Sequence, residues 1–403
     1  MSFIRRAAKL VTIILATVYL RVSRRWRRRR PRRIIRATAA FFGHLALEPE
    51  NYLSVRASGE SSSWAVDINQ QRSRDWWTLG KLTSSPNVML AKAWRRQIST
   101  PPSWWVDAVI RAGESRPGLA LPQLNASLFG VGNALDATPT QFRLSPPQLH
   151  RAQRELLSLG VDLGVPYVAL VVRDEKYFDE IGNHLSDGRM RNRPISDFVP
   201  AVAMLAEMGV QVIRLGHLVA SKLDFTHPLV FDYATSGHRS ELLDIYIPLT
   251  AKAVVSTLTG SDAVALVGRR PVLYVDVALY AQVFHATSRA TWIPAHLRDI
   301  ETNRTLSLAE VFGVGVGWFV EPKQFDRAGI EVVRSSPAEI GLYVQDFIRE
   351  VLDVGEYRGT STLQQQARES LSKAMGLDGQ LMHGDVRSQI SDQFLLKFPK
   401  FLG

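Results

Sequence analysis

The chain of 403 residues contains no cysteine, so disulfide bonds, thiol nucleophiles and thiolate metal sites are excluded. Its nine histidines are scattered, without an HExxH motif or a His-x-His pair, and the sequence therefore predicts no metal site. Walker A, GxSxG and GxGxxG motifs are also absent, and no cofactor is predicted.

Acidic residues are absent from residues 1–36, which contain 13 of the 49 lysines and arginines. The rest of the chain has 36 basic and 38 acidic residues, a balance of −2, so the net charge of +11 belongs to the N-terminal segment. The apolar content of 46% is ordinary for a folded protein, and the length favours two globular domains.

The N-terminal segment has an apolar run at residues 10–20 that is too short to cross a bilayer, since a spanning helix needs roughly 20 residues. The dense arginine block after it opposes translocation as a secretory signal. We expect residues 1–36 to form an interfacial helix on an anionic inner-membrane surface, with Trp26 at headgroup level and residues 27–30 on lipid phosphates. The protein would then be cytoplasmic and peripheral on the inner face of the plasma membrane.

Two alternatives exist for this basic segment. Arginine-rich runs also suit nucleic-acid backbones, and a disordered leader would show the same composition. The adjacent Ile13, Ile14, Val18 and Leu20 favour the membrane, so no nucleic-acid partner is predicted.

Beyond residue 36, apolar runs alternate with helical patterns, which predicts an α/β fold. We expect an N-terminal α/β domain over 37–165, a second over 166–353 with five or more parallel strands, and a helical extension over 354–403. The predicted strands are 34–42, 64–68, 166–172, 210–215, 252–257, 271–276, 316–320 and 330–333. One helix is predicted to start near Glu48 and Pro49. Five more are predicted at 87–97, 146–160, 195–208, 240–249 and 337–353.

Polar residues follow the predicted strands of the second domain, and parallel strands bring their carboxyl ends to one edge of a sheet. Arginines suit phosphate oxygens, and carboxylates accept from sugar hydroxyls. The pattern predicts a nucleotide-diphosphate site built from Arg173, Asp174, Arg214, Tyr233, Ser236, Glu241 and Asp244. Each residue also has a structural explanation, such as a local ion pair at a strand end, a charge on a helix dipole or a place in the core.

The stretch 252–276, KAVVSTLTGSDAVALVGRRPVLYVD, has the pattern of a strand, a turn, a short helix and a second strand. Thr259, Gly260 and Ser261 can offer N–H groups and hydroxyls to a pyrophosphate at the helix N-terminus. The alternative is an ordinary connection, in which Gly260 shapes the turn and Ser261 or Asp262 caps the helix.

In the first predicted domain, His44 follows the first strand, and histidine is the side chain most suited to proton transfer at physiological pH. It is the candidate base for an incoming hydroxyl, with Glu48 and Glu50 as the alternatives. A purely structural histidine remains possible at this position.

Three blocks, RNRPISDFVPAVAMLAEMGVQVIRLG, FDYATSGHRSELLDIYI and TLTGSDAVALVGRRPVLYVD, resemble a group of bacterial glycosyltransferases from surface-polysaccharide loci. GHLALEPENYL and AGIEVVRSSPAEI resemble the same group, so the resemblance covers residues 37–353. It implies a GT-B-like fold, in which two Rossmann-like domains face a cleft and the C-terminal one holds a nucleotide-sugar donor without an obligatory metal.

The resemblance also implies roles for single positions. The donor site would take Arg173, Arg191, Asn192, Tyr233, Ser236, Glu241, Asp244, Thr259, Gly260 and Ser261. His44 would face the acceptor. The segment Ser335-Ser336-Pro337 departs from the Asn-Thr-Pro expected in the group, a conservative change for a helix cap.

From these features we expect a glycosyltransferase that moves a sugar from a nucleotide-sugar donor to a surface polysaccharide or lipid-linked glycan acceptor. Inversion without a metal is expected, with arginines (Arg173 and Arg214) and helix-terminal N–H groups stabilising the departing diphosphate. The main alternative is a non-catalytic, membrane-associated scaffold that binds a glycan or a nucleotide on the same fold.

Overall fold

Two parallel sheets carry most of the strands in the computed structural model of this protein. The structure describes residues 2–24, 33–38, 40–58, 75–176 and 190–403. Helices surround the sheets, and the α/β class expected from the alternating pattern is confirmed.

The smaller parallel sheet is formed by the N-terminal part of the chain. Its strands are β1 (Ile34–Arg36), β2 (Trp76–Thr78) and β3 (Gln123–Asn125), with β1 in the centre. The helices of this part are α1 (Ser2–Val22), α2 (Phe42–Ser58), α3 (Val88–Gln97), α4 (Ser103–Glu114), α5 (Ala134–Ala137) and α6 (Pro146–Ser158). The helix predicted at 87–97 is confirmed, and Oδ1 of Asn87 caps it by accepting the N–H of Leu90 at 2.8 Å.

Over the described residues, the larger parallel sheet has seven strands. They are β4 (Tyr167–Val171), β5 (Gln211–Leu215), β6 (Val230–Phe231), β7 (Ala253–Ser256), β8 (Val272–Val277), β9 (Ala290–Pro294) and β13 (Gln389–Ile390), and their spatial order is β6-β5-β4-β7-β8-β9-β13. The chain enters at β4, continues on one side through β6, and then adds β7 and its successors on the other side. The strand order therefore reverses between β4 and β7. In doubly wound sheets, ligands bind outside the carboxyl ends of the strands at such a switch point.

Eight helices and a small antiparallel sheet complete the described C-terminal part. The helices are α7 (Val199–Glu207), α8 (Glu241–Thr250), α9 (Asp262–Val267), α10 (Leu308–Gly313), α11 (Pro322–Arg327), α12 (Pro337–Val354), α13 (Ser361–His383) and α14 (Asp392–Lys397). The antiparallel strands are β10 (His296–Asp299), β11 (Arg304–Thr305) and β12 (Ile330–Val333). Every residue of β4, β7 and β8 is buried, as expected for parallel strands covered on both faces.

Several predicted boundaries need correction. The strand predicted at 34–42 ends at Arg36, and α2 begins at Phe42, so Glu48 and Pro49 lie inside that helix. The strand predicted at 316–320 is wrong. Gly315 adopts a φ of 83°, and a 3₁₀ turn (Val316–Trp318) follows it. The strand at Ile330–Val333 exists, but it pairs antiparallel with β10 outside the parallel sheet.

Two more predictions concern segments near the sheets. The strand predicted at 64–68 lies outside the described residues. The last fifty residues form α13 and α14 as expected, but they also supply β13, which pairs with β9 and extends the large sheet. The domain boundaries at 36, 165 and 353 stay predictions.

Helix α1 packs onto the N-terminal sheet and is not a free tail. Ala16 and Leu20 are fully buried in one cluster with Val106 and Val109 of α4. In the same cluster the ring of Tyr19 stacks on Trp76 of β2 at 5.7 Å. Among the helices described, none combines the length and apolar character needed to cross a membrane.

Candidate functional site

A cleft of about 530 Å³ lies at the carboxyl ends of β4, β5, β7 and β8. It includes the crevice between β4 and β7, and its volume is in the range of small-molecule sites. The start of α2 and the loops before α3 and after β3 form the facing wall. The polar lining residues are His44, Asn87, Arg173, Asp174, Arg191, His217, Arg239, Asp244, Thr259, Ser261, Asp262 and Gln282.

Hydrogen bonds fix the two loops that border the crevice. After β7, the backbone N–H of Thr259 donates to Oδ2 of Asp262 at 2.6 Å, and Leu258 holds a φ of 64° that leucine rarely adopts. The N–H of Arg173, after β4, donates to Oγ1 of Thr257 at 2.9 Å. The loops after β4 and β7 are therefore held against each other at the switch point.

The two walls of the cleft meet where Gly43 of α2 contacts Gly260 in the turn after β7. A Cβ atom on Gly43 would lie 3.0 Å from the Cα of Gly260, and one on Gly260 would lie 3.0 Å from the nitrogen of Gly43. A side chain on either residue would push the two backbones apart by a few tenths of an ångström, so the contact favours glycine at both positions. The contact places His44, the next residue of α2, on the cleft wall beside the turn at residues 259–261.

His44 is held by the carboxylate of Glu48, one helical turn further along α2. Nδ1 of His44 lies 2.6 Å from Oε1 of Glu48, whose Oε2 accepts the backbone N–H of Thr38 at 2.7 Å. The Glu48 side chain is buried, whereas 33% of His44 is exposed. A carboxylate on Nδ1 favours the tautomer with its proton there and leaves Nε2 as the proton acceptor. Glu48 is thus placed to orient His44. It is not on the cleft lining, where the alternative role of Glu48 as the base would require it.

Two arginines share the inner end of the cleft. Burial, together with the neighbouring Arg191, lowers the pKa of Arg173 to about 10. Burial also lowers the pKa of Arg191, against the opposing charge of Asp262. Two partly desolvated guanidinium groups in one cleft favour an anionic ligand, because its charge offsets their mutual repulsion.

Two carboxyl groups of the cleft titrate near neutrality. Burial raises the pKa of Asp262 to about 6, and Oδ1 of this residue makes no hydrogen bond with the described part of the chain. Burial also raises the pKa of Asp244 to about 6, against the pull of its ion-pair partner Arg239. His217 lies on the same wall, and burial lowers its pKa, with Arg239 adding to the effect. The carboxyl groups of the site can therefore donate a hydrogen bond when protonated and accept one when ionised.

The structure brings together on the cleft wall most of the residues expected there. These are His44, Arg173, Asp174, Arg191, Asp244, Thr259, Gly260 and Ser261. Five other predicted donor residues lie outside this lining. They are Asn192, Arg214, Tyr233, Ser236 and Glu241.

Arg214 is the clearest correction. It lies within β5 and is 1% exposed, with Nη1 bonded to Asp232 Oδ2 at 3.1 Å and to the Ser221 carbonyl at 2.8 Å. Its guanidinium group supports the loop after β5 and does not reach the cleft as the expected phosphate partner. The sequence placed Arg214 near a strand end but could not show which face of the sheet its side chain takes.

The remaining displaced residues have structural roles. The hydroxyl of Tyr233 accepts the N–H of Ser240 at 2.7 Å beneath α8, and Ser236 is exposed, donating to the Tyr233 carbonyl. Oε2 of Glu241 accepts the N–H of Met89 at 3.0 Å, which joins α8 to the first turn of α3. Asn192 is partly buried, follows the lining residue Arg191 in the chain and is not itself part of the lining.

Glu50, the other alternative base, lies away from the cleft. It is fully buried and bonded to Arg269 at 2.7 Å and to the backbone N–H groups of Gln141 and Phe142. Burial raises its pKa, against the charge of Arg269. Its role is to join the two parts of the chain.

Sequence reasoning missed Asn87, His217, Arg239 and Gln282 as cleft residues, and it named Asp262 only as part of the turn after β7. His217 carried a usable signal, because it follows the predicted strand at 210–215 by two residues, at the same sheet edge as Arg173. Gln282 carried none, since it lies at the end of a short 3₁₀ turn (Tyr280–Gln282) that no sequence pattern indicated.

Comparison with protein families finds none that matches the chain, and no curated protein matches its sequence. Among solved structures, the chain is similar to the heptosyltransferase TibC, a dodecameric, iron-containing enzyme solved in complex with ADP-D-β-D-heptose. The TM-score is 0.31 and the identity 13%, over 73% of this chain and 61% of the TibC chain.

Proposed function

We propose that this protein is a glycosyltransferase that takes a sugar from a nucleotide-sugar donor bound in the cleft. The observation that carries the proposal is the arrangement across one cleft of an oriented histidine, His44, and two arginines, Arg173 and Arg191. A base on one wall and an anion site on the other are what transfer from a phosphate leaving group to a hydroxyl requires. The proposal includes a GT-B-like arrangement, with a domain on each side of the cleft.

The donor would lie along the carboxyl edge of the large sheet. Its diphosphate would contact Arg173 and Arg191 and lie against the turn at residues 259–261, which supports charge stabilisation without a metal. Asp262, whose Oδ1 is buried and without a partner in the described chain, would accept a hydrogen bond from a hydroxyl of the donor.

The acceptor would enter from the wall formed by α2. Nε2 of His44 takes the proton of the acceptor hydroxyl as its oxygen attacks the anomeric carbon, and the bond from that carbon to the diphosphate oxygen breaks. Attack from the side opposite the leaving group inverts the anomeric configuration. Glu48 stabilises the imidazolium that forms, and the arginines carry the charge of the released diphosphate. By the resemblance, the acceptor is a surface polysaccharide or a lipid-linked glycan.

The first test measures nucleotide binding by thermal unfolding. We expect one member of a panel of nucleoside diphosphates to raise the melting temperature, and Arg173→Gln with Arg191→Gln to abolish the shift. The matched control is Arg304→Gln with Arg358→Gln, at exposed arginines that are not part of the lining. If no nucleoside diphosphate of the panel raised the melting temperature, the proposed donor site would be contradicted.

The second test concerns His44. With the nucleotide identified, His44→Ala should lower sugar transfer by ~10²–10⁴-fold while diphosphate binding is retained, because the base acts only on the acceptor hydroxyl. His150→Ala, at an exposed histidine of α6, should leave transfer unchanged. Diphosphate binding without transfer or hydrolysis of any donor by the wild type would favour the non-catalytic scaffold.

A further inference from the structure

Helix α1 has two apolar faces, and the described chain covers one of them. Ala16 and Leu20 face α4 and are fully buried. On the other side, Leu10, Ile14 and Val18 are 61%, 53% and 50% exposed, four residues apart along the helix. Three further exposed aliphatic residues widen this stripe (Val11, Leu15 and Val22).

A basic groove lies at the C-terminal end of the same helix. It is open and is lined by Arg21, Arg24 and Arg116 with residues 117–119, and the described part of this lining contains no carboxylate. Nη1 of Arg116 reaches back to Oγ1 of Thr17 at 3.4 Å, which ties the groove to α1. The apolar stripe therefore ends at a cluster of three cations contributed by two separate parts of the chain.

An exposed tryptophan lies on the neighbouring helix. Trp104, at the start of α4, is 63% exposed, and its ring lies 6.1 Å from that of Trp105, which contacts Tyr19 of α1. Tryptophan favours the boundary between lipid chains and headgroups.

We propose that the exposed face of α1, with the groove of Arg21, Arg24 and Arg116 and with Trp104, is a fixed docking surface for a bilayer that carries anionic headgroups. The aliphatic stripe would enter the boundary of the acyl chains, and the three arginines would bind lipid phosphates. Because α1 packs firmly on α4, the membrane would hold the folded body in one orientation instead of tethering it through a flexible leader. This inference does not depend on the proposed transfer reaction.

Charge and composition favour a bilayer over the other partners. Residues 1–36 contain 13 basic and no acidic residues, so a second copy docking through the same face would bring like charges together. A nucleic acid would use the arginines but would leave the exposed aliphatic stripe of α1 in water. An anionic lipid surface matches both features at once.

The test is co-sedimentation of the full-length protein with phosphatidylcholine vesicles, prepared with and without phosphatidylglycerol. We expect binding to the anionic vesicles that weakens with salt. Leu10→Ser with Ile14→Ser should weaken it about tenfold or more. The matched control, Leu377→Ser with Leu381→Ser, changes two exposed leucines at the same spacing in α13 and should leave binding unchanged.

A charge variant tests the groove separately. Arg21→Gln with Arg116→Gln should lower binding to the anionic vesicles and weaken its dependence on salt, and Trp104→Ser should lower binding further. Equal binding by the stripe variant and the wild type would overturn the proposal. It would also be overturned if α1 variants dissociated an oligomer in light scattering, or if the wild type bound duplex oligonucleotides and no vesicles.

Discussion

His285 and His383 lie side by side in the core near the cleft, with ring centroids 4.9 Å apart. Nδ1 of His285 contacts Oγ of Ser388 at 2.7 Å, and Nε2 contacts the carbonyl of Tyr280 at 2.9 Å. Burial lowers the pKa of His285 to about 4, and burial with the neighbouring His285 lowers that of His383. Both rings are therefore neutral in the folded protein at neutral pH, and protonation favours the unfolded chain.

This residue pair predicts a loss of stability in mild acid. The pKa of His285 in the folded protein lies below its unfolded value of about 6.5. Its contribution to the free energy of unfolding is therefore complete above pH 6.5 and is lost as the pH falls towards 4. The loss from His285 alone is roughly 3 kcal/mol at the lower end. Chemical unfolding between pH 4 and 8 should show a shallower decline for His285→Gln than for the wild type.

The exposed His150 supplies the control, since His150→Gln should keep the wild-type pH dependence. Asp244 and Asp262 titrate in the opposite sense, because their raised pKa values favour the folded state below pH 6. Both aspartates are present in the wild type and in the two histidine variants, so their effect on stability is the same in all three proteins. Equal slopes for His285→Gln and the wild type would show that His285 does not control the decline.

At the scale of elements, the contact between α2 and the turn before α9 determines the shape of the cleft. Gly43 and Gly260 leave no room for a side chain on either element. The start of α2 is therefore set by a tertiary contact, which explains why the helix begins before the Glu48-Pro49 signal.

We expect Gly43→Ala to lower the free energy of unfolding by about 1–3 kcal/mol, because its methyl group meets backbone atoms that can yield only if α2 moves. The same displacement should weaken diphosphate binding. Gly313→Ala in α10 is the control, since a Cβ there meets nothing within 4 Å, and its effect should stay within ~0.5 kcal/mol. Urea unfolding measures both variants. A Gly43→Ala protein as stable as the wild type would mean that the two elements can separate at little cost.

On the scale of the whole molecule, a buried ion pair joins the N-terminal part to the large sheet. Nη2 of Arg269, after α9, lies 2.7 Å from Oε1 of Glu50 in α2 and also bonds Oγ of Ser54 at 2.9 Å. Burial lowers the pKa of Arg269 and raises that of Glu50, so desolvation opposes both charges. Removing one partner would leave the other charge buried without compensation.

Glu50→Ala should accordingly lower the free energy of unfolding by about 3 kcal/mol or more. The control is Glu331→Ala, which removes a pair of similar length, Arg298 to Glu331 at 2.6 Å, from the surface. That change should cost under ~1 kcal/mol, because water already solvates both charges. Equal losses in the two variants would show that the link between the parts does not depend on the buried pair.

Alternation of apolar runs and helix signals was enough to predict the α/β class, most strands of the large sheet and the edge at which the cleft lies. The runs at 166–172 and 252–257 are short, apolar and followed by polar turns, and each of these properties is local. The antiparallel pairing of β12 and the addition of β13 could not be predicted, because they depend on partners about thirty and about one hundred residues away in the chain.

The sequence by itself determined where β4 and β7 end and which polar residues follow them, as at Arg173 and at Thr259 to Ser261. Only the tertiary structure decided that Arg214 bonds to Asp232 and that Glu48 holds the ring of His44. It also decided that Asp262 and His217 line the cleft. The reason is that a strand end fixes a position along the chain, whereas the direction of a side chain and its partner depend on which elements pack beside it.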